Sequence, residues 1–124
     1  FFLLPFIPVK QPKPENKYPL TQTGVASYYG TKKFHNSRTA SGERMHRDSL
    51  TAAHRTFPFG TRVKVTNLQN QKSVVVRIND RGPASKKRII DVSVAAARKL
   101  DMIQSGLARV RVEVVPKETM SPAQ

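Results

Sequence analysis

The stretch VRINDRGP, residues 76–83, begins as an alternating strand and ends in a polar turn. Apolar side chains recur at every second position across residues 74–78, which predicts a strand with one buried face. Gly82 can take a positive φ, and Pro83 keeps it out of the helical region, so a tight turn is expected. Such a turn aims a short side chain such as Asp80 out of a rigid element, as a functional site requires. A turn in which Asp80 only caps backbone amides fits the same pattern.

Size and charge narrow the classes of protein that this chain can be. The 124 residues are enough for one domain with a core. Lys and Arg number 22 against 8 Asp and Glu, a net charge of +14, and residues 24–115 alone hold 18 basic and 6 acidic residues. Such a surface favours a polyanion: nucleic acid, anionic lipid headgroups or an acidic cell-wall polymer. The chain has no cysteine, which excludes disulfides, a thiolate nucleophile, a cysteine-based zinc site and cysteine lipidation within this chain.

Composition divides the chain into three regions. Residues 1–23 are expected to be a flexible leader and linker, because an apolar strip too short to span a bilayer is followed by a segment rich in Pro and Lys. Residues 24–115 carry the strand-like and helical patterns and are predicted to form the domain. Residues 116–124 form a polar tail.

Most of the predicted elements are strands. Residues 61–67 and 72–78 alternate and are joined by a short polar connection, which favours a hairpin. Ser93 is predicted to cap a helix that runs through about Leu100, with an apolar stripe that continues to Ile103. Further strands are predicted at residues 24–30, 49–56 and 107–115.

Two neighbouring tyrosines in the strand 24–30 fall on opposite faces. Ser27 and Tyr29 share one face, whereas Tyr28 lies on the other. One tyrosine is therefore expected to pack inward while its neighbour faces a groove. Packing in the core or at its rim is the alternative for both.

A single carboxylate lies in the loop motif TASGE, residues 39–43. Long loops in compact domains are often functional. Arg38, Arg44 and Arg47 are expected to hold Glu43 ionised. A solvated loop charge is the alternative reading of Glu43.

His54 is the third polar candidate. It can act as a general acid or base, or orient another group, and a satisfied structural histidine is the alternative. The spacing of His35, His46 and His54 does not fit a metal site, so no metal is expected. Neither a phosphate-binding loop nor a dinucleotide fingerprint is present, so no cofactor is expected.

Seven motifs follow one another along the chain: GVASYYG at 24–30, TASGE at 39–43, LTAAH at 50–54, PFGT at 58–61, VKVTN at 63–67, VRINDRGP at 76–83 and IIDVS at 89–93. Taken in this order, they resemble the RlpA (rare lipoprotein A) family of endolytic peptidoglycan transglycosylases of bacterial envelopes. The resemblance covers about residues 24–115. It implies a mainly β fold, a six-stranded double-psi β-barrel with one short helix.

The resemblance also implies a catalytic cleft lined by Glu43, His54 and Asp80. Asp80 would give and then take a proton, Glu43 would assist as a second acid/base or as an electrostatic stabiliser, and His54 would orient Asp80 or the attacking hydroxyl. Sugar contacts are expected from Ser27, Tyr28, Tyr29, Asn79 and Arg81.

The implied reaction is lytic cleavage of β-1,4 glycosidic bonds in peptidoglycan, which leaves a 1,6-anhydro end. The expected partner is the glycan strand, with divisome or envelope proteins as further candidates. The expected setting is a monomer in the bacterial envelope, periplasmic or secreted. A noncatalytic peptidoglycan-binding module on the same barrel is the first alternative. A basic nucleic-acid-binding protein, suggested by the charge alone, is the second.

Overall fold

Alternating apolar and polar residues form six strands in the computed structural model, which describes residues 20–29 and 37–116. One short helix stands between the fifth and sixth strands. The elements are β1 (Thr21–Tyr29), β2 (Thr51–Ala53), β3 (Arg62–Asn67), β4 (Ser73–Asp80), β5 (Ile90–Ser93), α1 (Val94–Lys99) and β6 (Ala108–Val114).

The six strands close into a barrel in the order β1-β5-β2-β4-β3-β6. The pairs β1–β5 and β2–β4 are parallel, and the remaining neighbours are antiparallel. Closure removes free sheet edges, so every strand has two neighbours. The predicted mainly β fold with six strands and one short helix is confirmed, as is the hairpin of β3 and β4.

Strand β1 begins earlier than the sequence predicted. Thr21 pairs with Glu113 and Gly24 with Val110, so residues 21–23 belong to the barrel and not to the linker. Pairing with β6 overrides the weak local pattern of these residues. Residues 1–19 of the expected leader and residues 117–124 of the expected tail lie outside the described residues.

The barrel interior is filled by the inward faces of the strands and by the helix. The predicted alternation in β4 is confirmed, with Val76 and Ile78 fully buried. No helix within residues 20–29 and 37–116 is long and apolar enough to cross a membrane. The largest fully buried apolar side chains are Phe57, Ile78, Ile90, Leu100, Met102 and a set of valines from β3 to β6.

Helix α1 begins at the predicted cap. Ser93 has an extended backbone, and its hydroxyl accepts from the backbone N–H of Ala96. The helix ends at Lys99, so Ile103 packs against the core from the segment after the helix. The helix thus contributes Ala96 and Ala97 to the core of the barrel.

Candidate active site

One row of paired residues crosses four strands and contains two carboxylates. Ser27 of β1 pairs with Asp91 of β5, which pairs in turn with Ala53 of β2. Ala53 pairs with Asp80 at the end of β4. Directly paired residues project on the same side of a sheet. The row lies on the outer face, because the preceding positions in β1, β5 and β2 fill the core: Ala26, Ile90 and Ala52.

A β-bulge in β4 aims two adjacent side chains at one loop. The pairing of β2 with β4 shifts by one residue, so Asn79 is the extra residue of the bulge. Bulges redirect side chains that strict alternation would place on opposite faces. Asn79 Nδ2 donates to Glu43 Oε1 at 3.0 Å, and Asp80 Oδ1 accepts from the backbone N–H of Ala40 at 2.9 Å. The bulge thus connects Asp80 and Glu43 through the loop 39–43.

The loop 39–43 is held in shape by its own hydrogen bonds. Both the backbone N–H and the hydroxyl of Thr39 donate to the carbonyl of Glu43, at 2.8 and 2.7 Å. Gly42 has a φ of 90°, which a glycine adopts without strain. The backbone N–H of Ser41 donates to the carbonyl of Asn79 at 3.3 Å, so the loop is docked on the end of β4.

Arg77 binds Glu43 through two parallel hydrogen bonds of 2.8 and 2.7 Å. These bonds and the one from Asn79 lower the pKa of Glu43 to about 2, well below its usual value of 4.5. Of the loop arginines expected here, Arg38 donates to the carbonyl of Gly42. Glu43 is therefore ionised near neutral pH. Of the two roles that the resemblance implied, this favours electrostatic stabilisation over that of a second acid/base.

Asp80 has one oxygen bound by the protein and one that is open. Oδ1 accepts from the backbone N–H of Ala40 and from that of Arg81, at 2.9 and 2.8 Å. Within residues 20–29 and 37–116, Oδ2 accepts no hydrogen bond and is not among the buried unpaired atoms. The open oxygen is available to a substrate.

The Arg81 side chain binds the turn that follows β2. Its Nη1 donates to the carbonyls of Phe57 and His54, at 2.8 and 3.2 Å. Its guanidinium lies 4.1 Å from the centre of the Phe59 ring. These contacts tie the Arg81 side chain to the turn after β2, and its expected contact with sugar stays a prediction.

The ring of His54 is buried and fully engaged behind the site. Its Nδ1 accepts from the backbone N–H groups of Thr56 and Phe57, both at 3.1 Å, which leaves Nε2 to donate to Gln22 Oε1 at 3.1 Å. The ring stacks on Phe57 with centroids 3.8 Å apart. Burial, with the nearby positive charges, lowers the pKa of His54 to about 4. His54 reaches Asp80 through its backbone N–H, which donates to the Asp80 carbonyl at 3.1 Å.

The two tyrosines separate as alternation predicts. Tyr28 packs against the core, and its hydroxyl donates to the carbonyl of Ile103 at 3.0 Å. The Tyr28 hydroxyl is thus engaged by the protein itself, and the expected contact of Tyr28 with sugar stays a prediction. Tyr29 lies on the outer face, where its hydroxyl is 3.0 Å from Thr51 Oγ1.

The hydroxyl of Tyr29 lies among the carboxylates of the site. Burial is the main reason that the pKa of Tyr29 is raised to about 12, although the hydrogen bond to Thr51 lowers it. The negative charges of Asp80, Asp91 and Glu43 raise it further. Tyr29 therefore stays a neutral hydroxyl, able to donate or accept, between the three acids.

Asp91 is a site residue that sequence reasoning did not select. Ser27 Oγ donates to Asp91 Oδ1, and Arg88 donates to Ser27 and lies 3.5 Å from the same carboxylate oxygen. Its motif, IIDVS, contributes only to the resemblance. The signal that could have identified Asp91 is a charged residue between the buried positions Ile90 and Val92.

The candidate site is thus a polar outer face on β1, β5, β2 and β4, closed on one side by the loop 39–43. No group of three or more potential metal ligands occurs in the described part of the chain. The face gathers Ser27, Tyr29, Glu43, Asn79, Asp80 and Asp91, with His54 and Arg81 behind it and Tyr28 in the core.

A separate cavity of about 350 Å³ lies between the β3–β4 turn and the segment after α1. None of the predicted site residues lines it, so it does not contribute to the site described above. Its lining residues are Asn67, Gln69, Asn70, Asp101, Gln104 and Ser105.

Sequence comparisons find similar proteins over most of this chain. A family model described as lytic transglycolase matches residues 21–112. A probable endolytic peptidoglycan transglycosylase RlpA of Synechocystis sp. is 59% identical over 92 residues, which cover 74% of this chain and 28% of that protein. The endolytic peptidoglycan transglycosylase RlpA of Rickettsia felis is 50% identical over 109 residues, 86% of this chain and 48% of that protein. The chain therefore spans less than half the length of these relatives.

Two solved structures share the fold at low sequence identity. The Streptomyces papain inhibitor has a TM-score of 0.62 and 23% identity, covering 90% of this chain and 100% of that chain. The apo expansin of Clavibacter michiganensis has a TM-score of 0.64 and 20% identity, covering 82% of this chain and 53% of that chain. At this identity the likeness concerns the barrel alone.

Proposed function

The chain belongs to the lytic transglycolase family of double-psi β-barrels, and from that premise we propose that it cleaves the β-1,4 glycosidic bonds of peptidoglycan glycan strands. The product would carry a 1,6-anhydro end, because a hydroxyl of the sugar itself replaces water as the nucleophile. The observation that carries this proposal is the open oxygen of Asp80, held beside the fixed charge of Glu43.

Asp80 is the acid and then the base of the proposed reaction. Its carboxyl proton goes to the leaving glycosidic oxygen as the bond from that oxygen to C1 breaks. The resulting carboxylate then takes the proton of the C6 hydroxyl as O6 bonds to C1. Asp80 thereby regains a proton, this time from the C6 hydroxyl. No water is consumed, and the enzyme returns to its starting state. Two backbone N–H groups hold Oδ1, which leaves Oδ2 for both transfers.

Glu43 supplies charge in this scheme. The transition state resembles an oxocarbenium ion, which a nearby carboxylate stabilises. Arg77 and Asn79 hold Glu43 in one orientation, so it need not reorganise during the reaction. A group whose pKa is about 2 stays ionised throughout the neutral range.

Ser27, Tyr29 and Asn79 complete the proposed groove. Tyr29 offers a neutral hydroxyl and an aromatic ring to a sugar, while Asn79 acts through Glu43. His54 and Arg81 are positioning residues that secure the backbone around Asp80.

The proposed setting is the bacterial cell envelope, periplasmic or secreted, with the glycan strand as partner and divisome or envelope proteins as further partners of a monomer. The net charge of +14 suits an acidic wall polymer. Salt at physiological strength weakens this attraction, since it screens charges beyond about 8 Å.

Mass spectrometry of purified peptidoglycan incubated with the protein tests the reaction. Anhydro-ended fragments are expected. Fragments that have gained water would indicate a hydrolase. Intact glycan that retains the protein would indicate a noncatalytic binding module. Tight oligonucleotide binding with a steep salt dependence, without glycan cleavage, would indicate the nucleic-acid alternative.

A further inference from the structure

Asp91 presents one bound and one open oxygen, as Asp80 does. Both of its protein contacts, from Ser27 Oγ and from Arg88, are made at Oδ1. Within residues 20–29 and 37–116, Oδ2 of Asp91 accepts no hydrogen bond. The buried side-chain atoms without partners in this part of the chain are Thr66 Oγ1 and Asn79 Oδ1. The open oxygen of Asp91 therefore reaches solvent on the outer face.

Ser27 and Arg88 fix the direction of the Asp91 carboxylate. Ser27 is 5% exposed, and its hydroxyl donates its single proton to Asp91. Arg88 donates to the same hydroxyl, so three side chains form one closed cluster. A site residue whose side chain is fixed by hydrogen bonds from its neighbours is held in one geometry before any ligand binds.

Register puts Asp91 and Asp80 on the same row. They flank Ala53, two strand spacings apart, so their Cα atoms are about 10 Å from each other. A side-chain carbon built at Gly82 would lie 3.9 Å from the Cβ of Ala53, so the turn after β4 covers the small residue between them. Tyr29 pairs with Ser93 of β5, two residues after Asp91, and its hydroxyl reaches Thr51 of β2. The charges of Asp80 and Asp91 both act on this hydroxyl.

From these contacts we infer that Asp91 is a substrate-binding residue of the groove, with Oδ2 accepting a hydrogen bond from a sugar hydroxyl or acetamido N–H group. This inference rests on the proposed function, because it takes the ligand to be a glycan strand. Sugars are rich in O–H donors, and a hydrogen bond to an ionised acceptor is stronger than one between neutral groups. Asp91 holds the glycan while Asp80 performs the proton transfers.

Asp91→Asn tests the inference with little disturbance of the fold, since the amide oxygen can still accept from Ser27. With glycan strands freed of stem peptides as substrate, KM is expected to rise about tenfold or more, as loss of a hydrogen bond to a charged group predicts. The kcat is expected to stay within about twofold, because the lost hydrogen bond stabilises the bound substrate and the transition state equally. Ser27→Ala, which frees the carboxylate to rotate, is expected to raise KM by a smaller factor.

Asp101→Asn is the matched control. Asp101 is also a carboxylate in an ion pair, 3.6 Å from Lys72, but it lies outside the site row. Its φ of 55° is one that Asn tolerates well. An unchanged KM in Asp91→Asn, a KM that rises equally in both variants, or a kcat that collapses at constant KM would each overturn the inference.

A binding measurement separates this inference from the proposed function. In protein that carries Asp80→Asn, the dissociation constant for the same glycan strands is measured by calorimetry with and without Asp91→Asn. Weakening by about tenfold or more upholds the binding role even if the native protein makes no anhydro product. Equal dissociation constants overturn it even if the native protein is active.

Discussion

Arg77 holds both oxygens of Glu43, with Nη1 2.8 Å from Oε1 and Nη2 2.7 Å from Oε2. Arg77 also stands directly opposite Arg62 in the β3–β4 pair, where like charges repel. Strand pairing places Arg77 beside the positive charge of Arg62, and Glu43 balances the charge of Arg77. The ion pair both orients the carboxylate and ties the loop 39–43 to the barrel wall.

Glu43→Gln is expected to lower kcat on the order of 100-fold, because the electrostatic stabilisation of the transition state is lost while the shape is kept. Anhydro product formation at saturating substrate measures the effect. Glu113→Gln is the matched control, since its side chain is also 41% exposed and also paired with an arginine, at 3.1 Å. Equal activity of the two variants would contradict the assigned role.

The lowered pKa of Glu43 predicts how stability depends on pH. The group releases its proton more readily in the folded state, at about 2, than at its usual value of 4.5. Its contribution is therefore complete above about pH 4.5 and is lost as the pH falls towards 2. Urea unfolding of the native protein and of Glu43→Gln, followed across this range, should give a stability difference that narrows with acidification. The contribution is modest, since the side chain is 41% exposed. A constant difference would contradict the assigned ionisation.

Asp80→Asn is expected to reduce turnover on the order of 1000-fold, because an amide cannot exchange the proton that general acid–base catalysis requires. Oδ1 can still accept from the N–H groups of Ala40 and Arg81, so the melting temperature should change little. Mass spectrometry of the products and a thermal melt check the two halves of this prediction. Asp101→Asn should keep full turnover, and activity retained in Asp80→Asn would remove Asp80 from the mechanism.

The strands and the helix cap could be predicted because each rests on a local pattern. Alternation in β4 and the sorting of Tyr28 and Tyr29 follow from the two-residue period of a strand. The cap at Ser93 follows from the chemistry of a helix start. The early start of β1 could not be found this way, because the residues 21–23 are held by pairing with β6.

The partners within the site depend on contacts between distant parts of the chain. Strict alternation puts Asn79 and Asp80 on opposite faces, and only the shifted pairing with β2 reveals the bulge. Arg77 could not be chosen as the partner of Glu43 over the loop arginines, since the ion pair joins residues 34 positions apart. Asp91 could be placed in the site only from the parallel pairing of β1 with β5, which sets it beside Ser27.

His54 is expected to contribute more to the stability of the fold than to catalysis. His54→Ala removes the ring that stacks on Phe57 and leaves two backbone N–H groups unpaired, so the free energy of unfolding should fall by about 3 kcal/mol. Denaturant unfolding measures this loss. Activity per folded molecule should fall far less than in Asp80→Asn. A fully folded but inactive His54→Ala would instead indicate a direct catalytic role.

The pKa of His54, lowered from 6.5 to about 4, has its own pH signature. The unfolded chain binds the proton more readily, so the contribution of the neutral ring is complete above about pH 6.5 and is lost as the pH falls to 4. An NMR titration of the His54 ring should show a midpoint near 4. A midpoint near the usual value would contradict its burial as a neutral group.

Gly82→Ala tests the turn that separates Asp80 from Asp91. Gly82 has a φ of 139°, which a residue with a side chain adopts only with strain, so stability should fall by about 1–3 kcal/mol. The added carbon would also lie 3.9 Å from the Cβ of Ala53. Because the backbone shifts to relieve the strain, the turn between the two acids moves. Activity should therefore fall along with stability. Gly60→Ala is the matched control, since it has a φ of 92° with open space around it and lies outside the site row. Thermal melts and product formation compare the two variants: a similar loss of stability with activity reduced only in Gly82→Ala is expected, and equal activities would show that the turn does not position the acids.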